Sequence, residues 1–121
     1  MAPKIYAYPY MVIAEQFFRA LGDGTRLRVM LLLRLKGRLC VCELVHALDA
    51  GQPRVSRHLG HLRDLGLVRD ERRGQWVYYE INPALPDWAL NALDAVAEAE
   101  KLKPLAARLA SMNNRPIAAC D

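Results

Sequence analysis

Apolar side chains recur every three to four residues along much of this 121-residue chain, as they do on the buried face of an α-helix. One such stretch runs from about Met11 to Leu21 and ends at Gly22. A second runs from about Thr25 to Leu35 and ends at Gly37. Because glycine often follows the last helical residue, the pattern predicts two consecutive helices that contribute to a core.

Two shorter helices joined by a tight turn are predicted next. The first carries its apolar residues on one side up to Leu48, and the turn is Asp49-Ala50-Gly51. Gln52-Pro53 opens the second helix, since proline at the first helical position loses no hydrogen bond. Its inward residues are Val55, Leu59, Leu62 and Leu65. The outer face of this helix is therefore polar and cationic.

Residues 67–81 alternate apolar and polar side chains around Arg73-Gly74, which predicts a β-hairpin. A long helix with many small apolar residues is predicted from Pro86, and a short helix from Leu105 to Met112. We therefore expect a mainly α fold with a short β-hairpin, as one domain over 1–121. An N-terminal arm (1–10) and a flexible C-terminal tail (104–121) are expected to flank it.

Composition limits the functional classes. With 53% hydrophobic and 25% charged residues, the chain suits one globular domain. Its longest apolar runs are far shorter than the roughly 20 residues of a membrane span, and no export signal is evident, so a cytoplasmic protein without a membrane partner is expected. Three cysteines, an odd number, do not form a closed disulfide framework and are candidate ligands instead.

The positive charge is concentrated in one segment. The net charge is +4, and residues 54–73 carry six arginines and three acidic residues, a balance of +3. Two helices joined by a tight turn, with a cationic second helix and an arginine-bearing hairpin, are typical of a winged helix-turn-helix. The sequence therefore favours double-stranded DNA as a partner over ordinary solvated surface charge.

Cys40 and Cys42 stand at the predicted start of a helix, where the helix dipole should lower a thiol pKa. Soft thiolates select arsenite, antimonite, cadmium, lead or copper(I) over magnesium and calcium. The alternative is that both are small buried apolar residues. Because helix residues two apart do not face each other, we expect the first turn to unwind if both sulfurs grip one ion.

Five segments, in order, resemble the ArsR-type metalloregulatory repressors, and most closely their arsenic-responsive branch. They are Leu-Gly-Asp-Gly-Thr-Arg-Leu-Arg (21–28), Leu-Cys-Val-Cys-Glu-Leu (39–44), Gln-Pro-Arg-Val-Ser-Arg-His-Leu (52–59), Leu-Arg-Asp-Leu-Gly-Leu-Val (62–68) and Arg-Gly-Gln-Trp-Val-Tyr-Tyr (73–79). The resemblance implies a homodimeric repressor with no constitutive cofactor. Such a repressor binds an inverted-repeat operator and releases it when As(III) or Sb(III) binds.

The resemblance also implies roles for individual residues. The family's recognition helix falls on Gln52 to Leu62, and the implied DNA contacts of helix and wing are Gln52, Arg54, Ser56, Arg57, His58, His61, Arg72 and Arg73. For His58 and His61 the alternative is a hydrogen-bonded packing role. The implied dimer contacts are Phe17, Phe18, Trp88, Ala92 and Val96, for which packing within one subunit is the alternative.

The implied metalloid ligands are Cys40 and Cys42. Arsenic-responsive relatives often have a third cysteine where this chain has Val45, so Cys120 is a candidate third ligand, with an uninvolved surface thiol as the alternative. The chain has no histidine after His61 and no cysteine in residues 1–39. It therefore lacks the ligands of the zinc-sensing branch and the N-terminal cysteines of the cadmium- and lead-sensing branch.

We expect chelation to distort the start of the cysteine helix, which should brace the recognition helix through Leu44 and Leu48. Two other regulators remain open: a sensor of another soft metal such as cadmium or lead, and a redox-responsive winged-helix protein. A small thiol-disulfide enzyme is the alternative from a different class. No thioredoxin-like βαβ pattern surrounds the cysteine pair, so the sequence favours a regulator over an enzyme.

Overall fold

A computed structural model describes residues 10–100 and 102–112, with side chains from residue 14 onward. Its helices are α1 (Tyr10–Leu21), α2 (Gly24–Lys36), α3 (Val41–Leu48), α4 (Gln52–Asp64), α5 (Asp87–Ala99) and α6 (Lys103–Ala110). Its strands are β1 (Arg38–Cys40), β2 (Val68–Arg73) and β3 (Trp76–Ile81). The predicted fold class, mainly α with a short β-hairpin, is confirmed. No helix within the described ranges is long and apolar enough to span a membrane.

Helix α2 forms the centre of the core. Its residues Val29 to Leu33 are all buried, so neighbouring elements cover this part of the helix on every side. The helix begins where the Asp23 carboxylate accepts a hydrogen bond from the Arg26 backbone N–H at 3.0 Å. It ends at Gly37, whose φ of 89° suits a residue without a side chain.

The sheet has three antiparallel strands in the order β1-β3-β2, whereas the sequence predicts only the two of the hairpin. The additional strand, β1, pairs with β3 so that Cys40 lies opposite Tyr78. Three residues are too few to show an alternating pattern, and both Leu39 and Cys40 are buried. This strand is formed through its long-range partner, which periodicity along the chain does not reveal.

Helices α3 and α4 form the predicted tight pair. Asp49 closes α3 in the left-handed region at φ 53°, and Pro53 lies in the first turn of α4. Helix α6 packs on α3 and buries Leu109. This helix corresponds to the short helix predicted from Leu105 to Met112, and it lies within the segment 104–121 that is also expected to form a flexible tail. Residues 113–121, including Cys120, and residues 1–9 of the expected arm lie outside the described part.

Candidate DNA-binding face and cysteine site

Helix α4 separates its residues into a core side and a solvent side. Val55, Leu59 and Leu62 are fully buried. The exposed residues of α4 include five of the predicted DNA contacts, namely Gln52, Arg54, Ser56, Arg57 and His61. These five side chains are therefore available to a partner outside the subunit.

His58 is placed differently from its neighbours. Its side chain is only 14% exposed, and its Nδ1 lies 3.2 Å from Nη1 of Arg26, while its Nε2 lies 3.8 Å from a carboxylate oxygen of Asp23. Burial, the largest effect, lowers the pKa of His58, although Asp23 acts in the opposite direction. These contacts favour the alternative role for His58: it packs α4 against the start of α2.

Half of the arginines in residues 54–73 form ion pairs with carboxylates of the same subunit. Arg63 lies 3.3 Å from the Asp70 carboxylate, Arg69 lies 2.6 Å from that of Glu80, and Arg73 lies 3.5 Å from that of Glu71. Within the described ranges, no carboxylate lies within 4 Å of the three others, which are all exposed: Arg54, Arg57 and Arg72. These three are the arginines of the segment whose charge is least compensated.

Strands β2 and β3 form the hairpin, which we call the wing. Its turn consists of two residues, Gly74 and Gln75, since Arg73 and Trp76 on either side are paired in the sheet. Gly74 has a φ of 61°, the region that the first position of a two-residue hairpin turn favours. Of the two predicted wing contacts, Arg72 is exposed, while Arg73 is half-buried and paired with Glu71. Arg72 is thus the more accessible of the two.

The two cysteine sulfurs lie next to each other. Cys40 ends β1 and caps α3 with an extended backbone (φ −83°, ψ 165°), while Cys42 lies in the first turn of α3. The two Sγ atoms are 2.6 Å apart. The expectation that the helix must unwind is therefore wrong. Cys40 is outside the helix, and its extended backbone lets both side chains meet without any change in α3.

Burial has a large effect on the Cys40 thiol. It raises the pKa of Cys40 to about 12, and the hydrogen bond with Cys42 adds to the increase, while the Glu43 backbone N–H acts in the opposite direction. For Cys40, the expectation of a pKa lowered by the helix start is wrong, since loss of hydration outweighs the favourable backbone contact. At neutral pH this residue is a thiol, not a thiolate.

Glu43 is a functional candidate that sequence reasoning missed. It is 1% exposed, and its carboxylate accepts a hydrogen bond from the Cys40 backbone N–H at 2.8 Å. A glutamate three residues after a capping residue is the signal of a capping box, but the usual serine or threonine is a cysteine here. The contact fixes the backbone that carries one of the two sulfurs.

A cleft of about 330 Å³ extends from the cysteine pair to α4 and the hairpin, the two parts of the candidate DNA-binding face. Its walls include Cys40, Cys42, Gln52, Ser56, Gln75 and Trp76. Gln75 and Trp76 were not identified as site residues from the sequence, because their proximity to the cysteines depends on how the wing folds back. In the described ranges, no group of three or more Cys, His, Asp and Glu side chains could hold a metal ion, so the site offers a pair of sulfurs.

The residues suggested for a dimer surface divide between core and surface. Phe17 is fully buried and its ring packs edge-on against those of Phe18 and Trp88, with centroids 5.2 and 5.3 Å away. Phe18 is 55% exposed, and Trp88, Ala92 and Val96 are half-buried. Packing within the subunit is thus the role of Phe17, and Phe18 is the outermost member of this aromatic cluster.

Comparison with known proteins gives the family. The model of the family described as "Bacterial regulatory protein, arsR family" matches residues 23–70. The chain is 50% identical to the arsenic resistance transcriptional regulator ArsR1 of Pseudomonas putida, over 82% of this chain and 79% of that protein. The chain belongs to the ArsR family. It is therefore a DNA-binding transcriptional regulator and not an enzyme.

Two further proteins support this placement. The chain is 45% identical to the arsenical resistance operon repressor of Escherichia coli, over 81% of this chain and 86% of that protein. A solved structure of the AntR antimony-specific transcriptional repressor matches with a TM-score of 0.63 and 26% identity, over 82% of this chain and 95% of that one. This ArsR-family chain thus shares sequence with arsenic regulators and its winged-helix fold with an antimony repressor.

Proposed function

We propose that this chain is a transcriptional repressor that binds operator DNA and releases it when trivalent arsenic or antimony binds Cys40 and Cys42. The observation that carries the proposal is the contact of the two sulfurs, 2.6 Å apart, in a cleft shared with α4 and the wing. The relatives named as arsenic regulators support the choice of inducer. A repressor of this kind acts on the chromosome, so we place it in the cytoplasm.

The protonation state of Cys40 favours a metalloid over a divalent cation. Arsenous acid carries its own hydroxides, which accept the thiol protons and leave as water when As–S bonds form. A divalent cation requires thiolates, so its binding must release protons to solvent. Because burial raises the pKa of Cys40 to about 12, that release is unfavourable at neutral pH.

The DNA contacts in this proposal are the exposed polar residues of α4 and the exposed arginine of the wing. Arg54 and Arg57 can reach guanine edges or phosphates, and Gln52 and Ser56 lie at the same end of the helix. Arg72 reaches the backbone beside the wing. His61 is exposed and remains a contact candidate, whereas His58 acts indirectly by fixing α4 on α2.

Inducer binding acts on this surface through the cleft. A metalloid bound to the cysteine pair lies between α4, through Gln52 and Ser56, and the wing, through Gln75 and Trp76. It changes the spacing of these two elements and the position of the start of α3, a helix that packs on α4 and buries Leu44. Moving from mostly bound to mostly free DNA requires about 5.5 kcal/mol of differential affinity.

We also propose that two copies act together. The exposed Phe18 and the half-buried Trp88, Ala92 and Val96 provide an apolar surface on α1 and α5. A two-fold dimer reads an inverted repeat whose half-sites are centred about 10 to 10.5 base pairs apart. The partner in this part of the proposal is a second copy of the chain.

An electrophoretic shift on DNA from upstream of the gene tests the inducer assignment. Arsenite, antimonite, cadmium and zinc are titrated into the complex of the unsubstituted protein, and arsenite and antimonite should release the DNA at the lowest concentrations. Cys42→Ser should bind the DNA normally and resist release. Normal release of Cys42→Ser by arsenite would overturn the proposal.

Cys120→Ser is the matched control, because it removes one thiol and leaves the pair intact. If Cys40 and Cys42 suffice, its arsenite affinity should equal that of the unsubstituted protein. A fall of tenfold or more would instead establish Cys120 as the third ligand.

A further inference from the structure

The cysteine pair leaves one valence of a trivalent metalloid unfilled. Two thiols condense with arsenous acid so that two As–O bonds break, two As–S bonds form and two waters leave with the thiol protons. Arsenic remains trivalent and keeps one hydroxyl group. In the described ranges, no third cysteine, histidine or acidic residue completes a metal-holding group with the pair.

Tyr78 lies next to this position. The β1–β3 ladder pairs Cys40 with Tyr78, so their side chains project from the same face of the sheet with Cβ atoms about 4.5 to 5.5 Å apart. Trp76, two residues earlier and on the same face, lines the cleft that contains both cysteines, whereas Tyr78 is not part of the cleft wall and is buried beside Cys40. The phenol ring is therefore a direct neighbour of the cysteine that ends β1.

The Tyr78 hydroxyl is buried and has no hydrogen-bond partner among the described residues. The side chain is 1% exposed, and proteins rarely leave a buried hydroxyl unpaired. Burial, followed by the nearby Cys40, Glu43 and Cys42, raises the pKa of Tyr78, so the phenol stays protonated and can donate. An acceptor delivered by a ligand would satisfy it.

We propose that the Tyr78 hydroxyl donates a hydrogen bond to the hydroxyl oxygen that arsenic or antimony retains after binding Cys40 and Cys42. This inference rests on the proposed function. It assigns Tyr78 as a ligand-binding residue that takes the place of a third sulfur. The site then selects inorganic trivalent species, which keep a hydroxyl, over species whose third substituent is an alkyl group.

Methylarsonous acid provides the matched ligand for the test. It loses both of its hydroxyls when two thiols bind, so its complex offers Tyr78 no acceptor. Tyr78→Phe should weaken arsenite binding roughly 3- to 10-fold, the effect of one hydrogen bond, and leave methylarsonous acid binding unchanged. Tyr79→Phe is the comparison variant, because Tyr79 also lines the cleft that contains both cysteines but pairs with Leu39 on the opposite face of the sheet. It should change neither affinity, and a loss of arsenite affinity in Tyr79→Phe without one in Tyr78→Phe would overturn the proposal.

Titration calorimetry on the two variants and the unsubstituted protein separates the outcomes. An unchanged arsenite affinity in Tyr78→Phe, or an equal loss for both arsenicals, would overturn the role of Tyr78. If the unsubstituted protein bound neither arsenical, the proposed function would fail and this inference with it.

A second measurement covers the case in which Tyr78→Phe does not fold. The Tyr78 ring ¹³Cζ resonance of the unsubstituted protein should shift more with arsenite than with methylarsonous acid. Equal shifts would overturn the proposal.

Discussion

Cys40 combines a buried thiol with a backbone position at the junction of β1 and α3. Its burial raises its pKa to about 12, and its extended backbone brings its sulfur to that of Cys42. The Glu43 carboxylate holds its N–H. In the proposed function, Cys40 therefore decides both which chemical forms of an inducer can bind without losing protons to solvent and where the inducer lies relative to α4.

The first prediction concerns pH. A group with a raised pKa stays protonated until pH approaches that value, so Cys40 is a thiol throughout pH 6 to 8. Cadmium must displace its proton, and cadmium affinity should therefore rise about tenfold per pH unit for this thiol alone. Arsenite affinity, whose condensation releases only water, should change less than threefold.

The affinities for arsenite and for cadmium, measured by competition titration at pH 6, 7 and 8, check this prediction. Zinc serves as a second divalent control and should follow cadmium. Equal pH slopes for arsenite and cadmium would contradict the protonation state assigned to Cys40.

The second prediction concerns His58 and stability. Its folded-state pKa lies below the unfolded value of about 6.5, so the unfolded chain binds more protons as pH falls through that range. The stability contributed by neutral His58 is present above about pH 6.5 and is lost as pH falls toward the folded-state pKa. The urea concentration at the midpoint of unfolding should therefore decrease as the pH is lowered from 7.5 to 5.5.

His58→Gln removes the titrating group and should flatten this pH dependence. His61→Gln is the matched control, because His61 is exposed on the same helix, and it should keep the full dependence. An undiminished slope in His58→Gln would refute the assignment.

At the scale of elements, α4 and the wing present arginines of two kinds. Arg63, Arg69 and Arg73 are paired within the subunit, and the exposed Arg54, Arg57 and Arg72 are not. Internal pairing lowers the charge available to DNA without changing the composition. The effective cationic surface is therefore smaller than the six arginines of the segment suggest.

The third prediction follows from this division. Arg57→Ala should weaken operator binding about tenfold. It should also reduce the slope of log affinity against log salt concentration by about 2, because a dimer loses two phosphate contacts. Arg69→Ala, which removes a cation paired with Glu80, should change both quantities much less. Fluorescence anisotropy over a salt series measures affinity and slope together, and equal losses in the two variants would contradict the division.

At the scale of the whole molecule, α1 and α5 share an aromatic cluster that extends from the core to the surface. Phe17 is fully buried, and Phe18 is 55% exposed with its ring centroid 6.1 Å from that of Trp88. Exposed aromatic side chains beside a core cluster are typical of protein contacts. The surface lies on helices other than α4, so the proposed dimer leaves α4 of both copies free.

The fourth prediction tests this surface. Phe18→Asp should convert a dimer to a monomer at micromolar concentration and weaken operator binding at least tenfold. Leu35→Asp is the matched control, because Leu35 is equally exposed, at 54%, but lies on α2. Sedimentation velocity measures the change, and a dimeric Phe18→Asp would place the interface elsewhere.

Local sequence patterns predict the helices, the hairpin and the family. The starts and ends of α1, α2 and α4 lie within two residues of the predicted ones, because apolar spacing, glycine stops and Pro53 act locally. Five segments between residues 21 and 79 carry the resemblance that the comparison with known proteins confirms.

What these residues face depends on how distant segments of the chain pack. Strand β1, the contact of the two sulfurs, the inward turn of His58 and the pairing of Arg63, Arg69 and Arg73 depend on partners distant in the chain. A sequence pattern reports the period of a helix or strand, which is a local property of the backbone. Burial, charge compensation and the place of Tyr78 beside Cys40 arise only when remote segments pack together, so no local pattern encodes them.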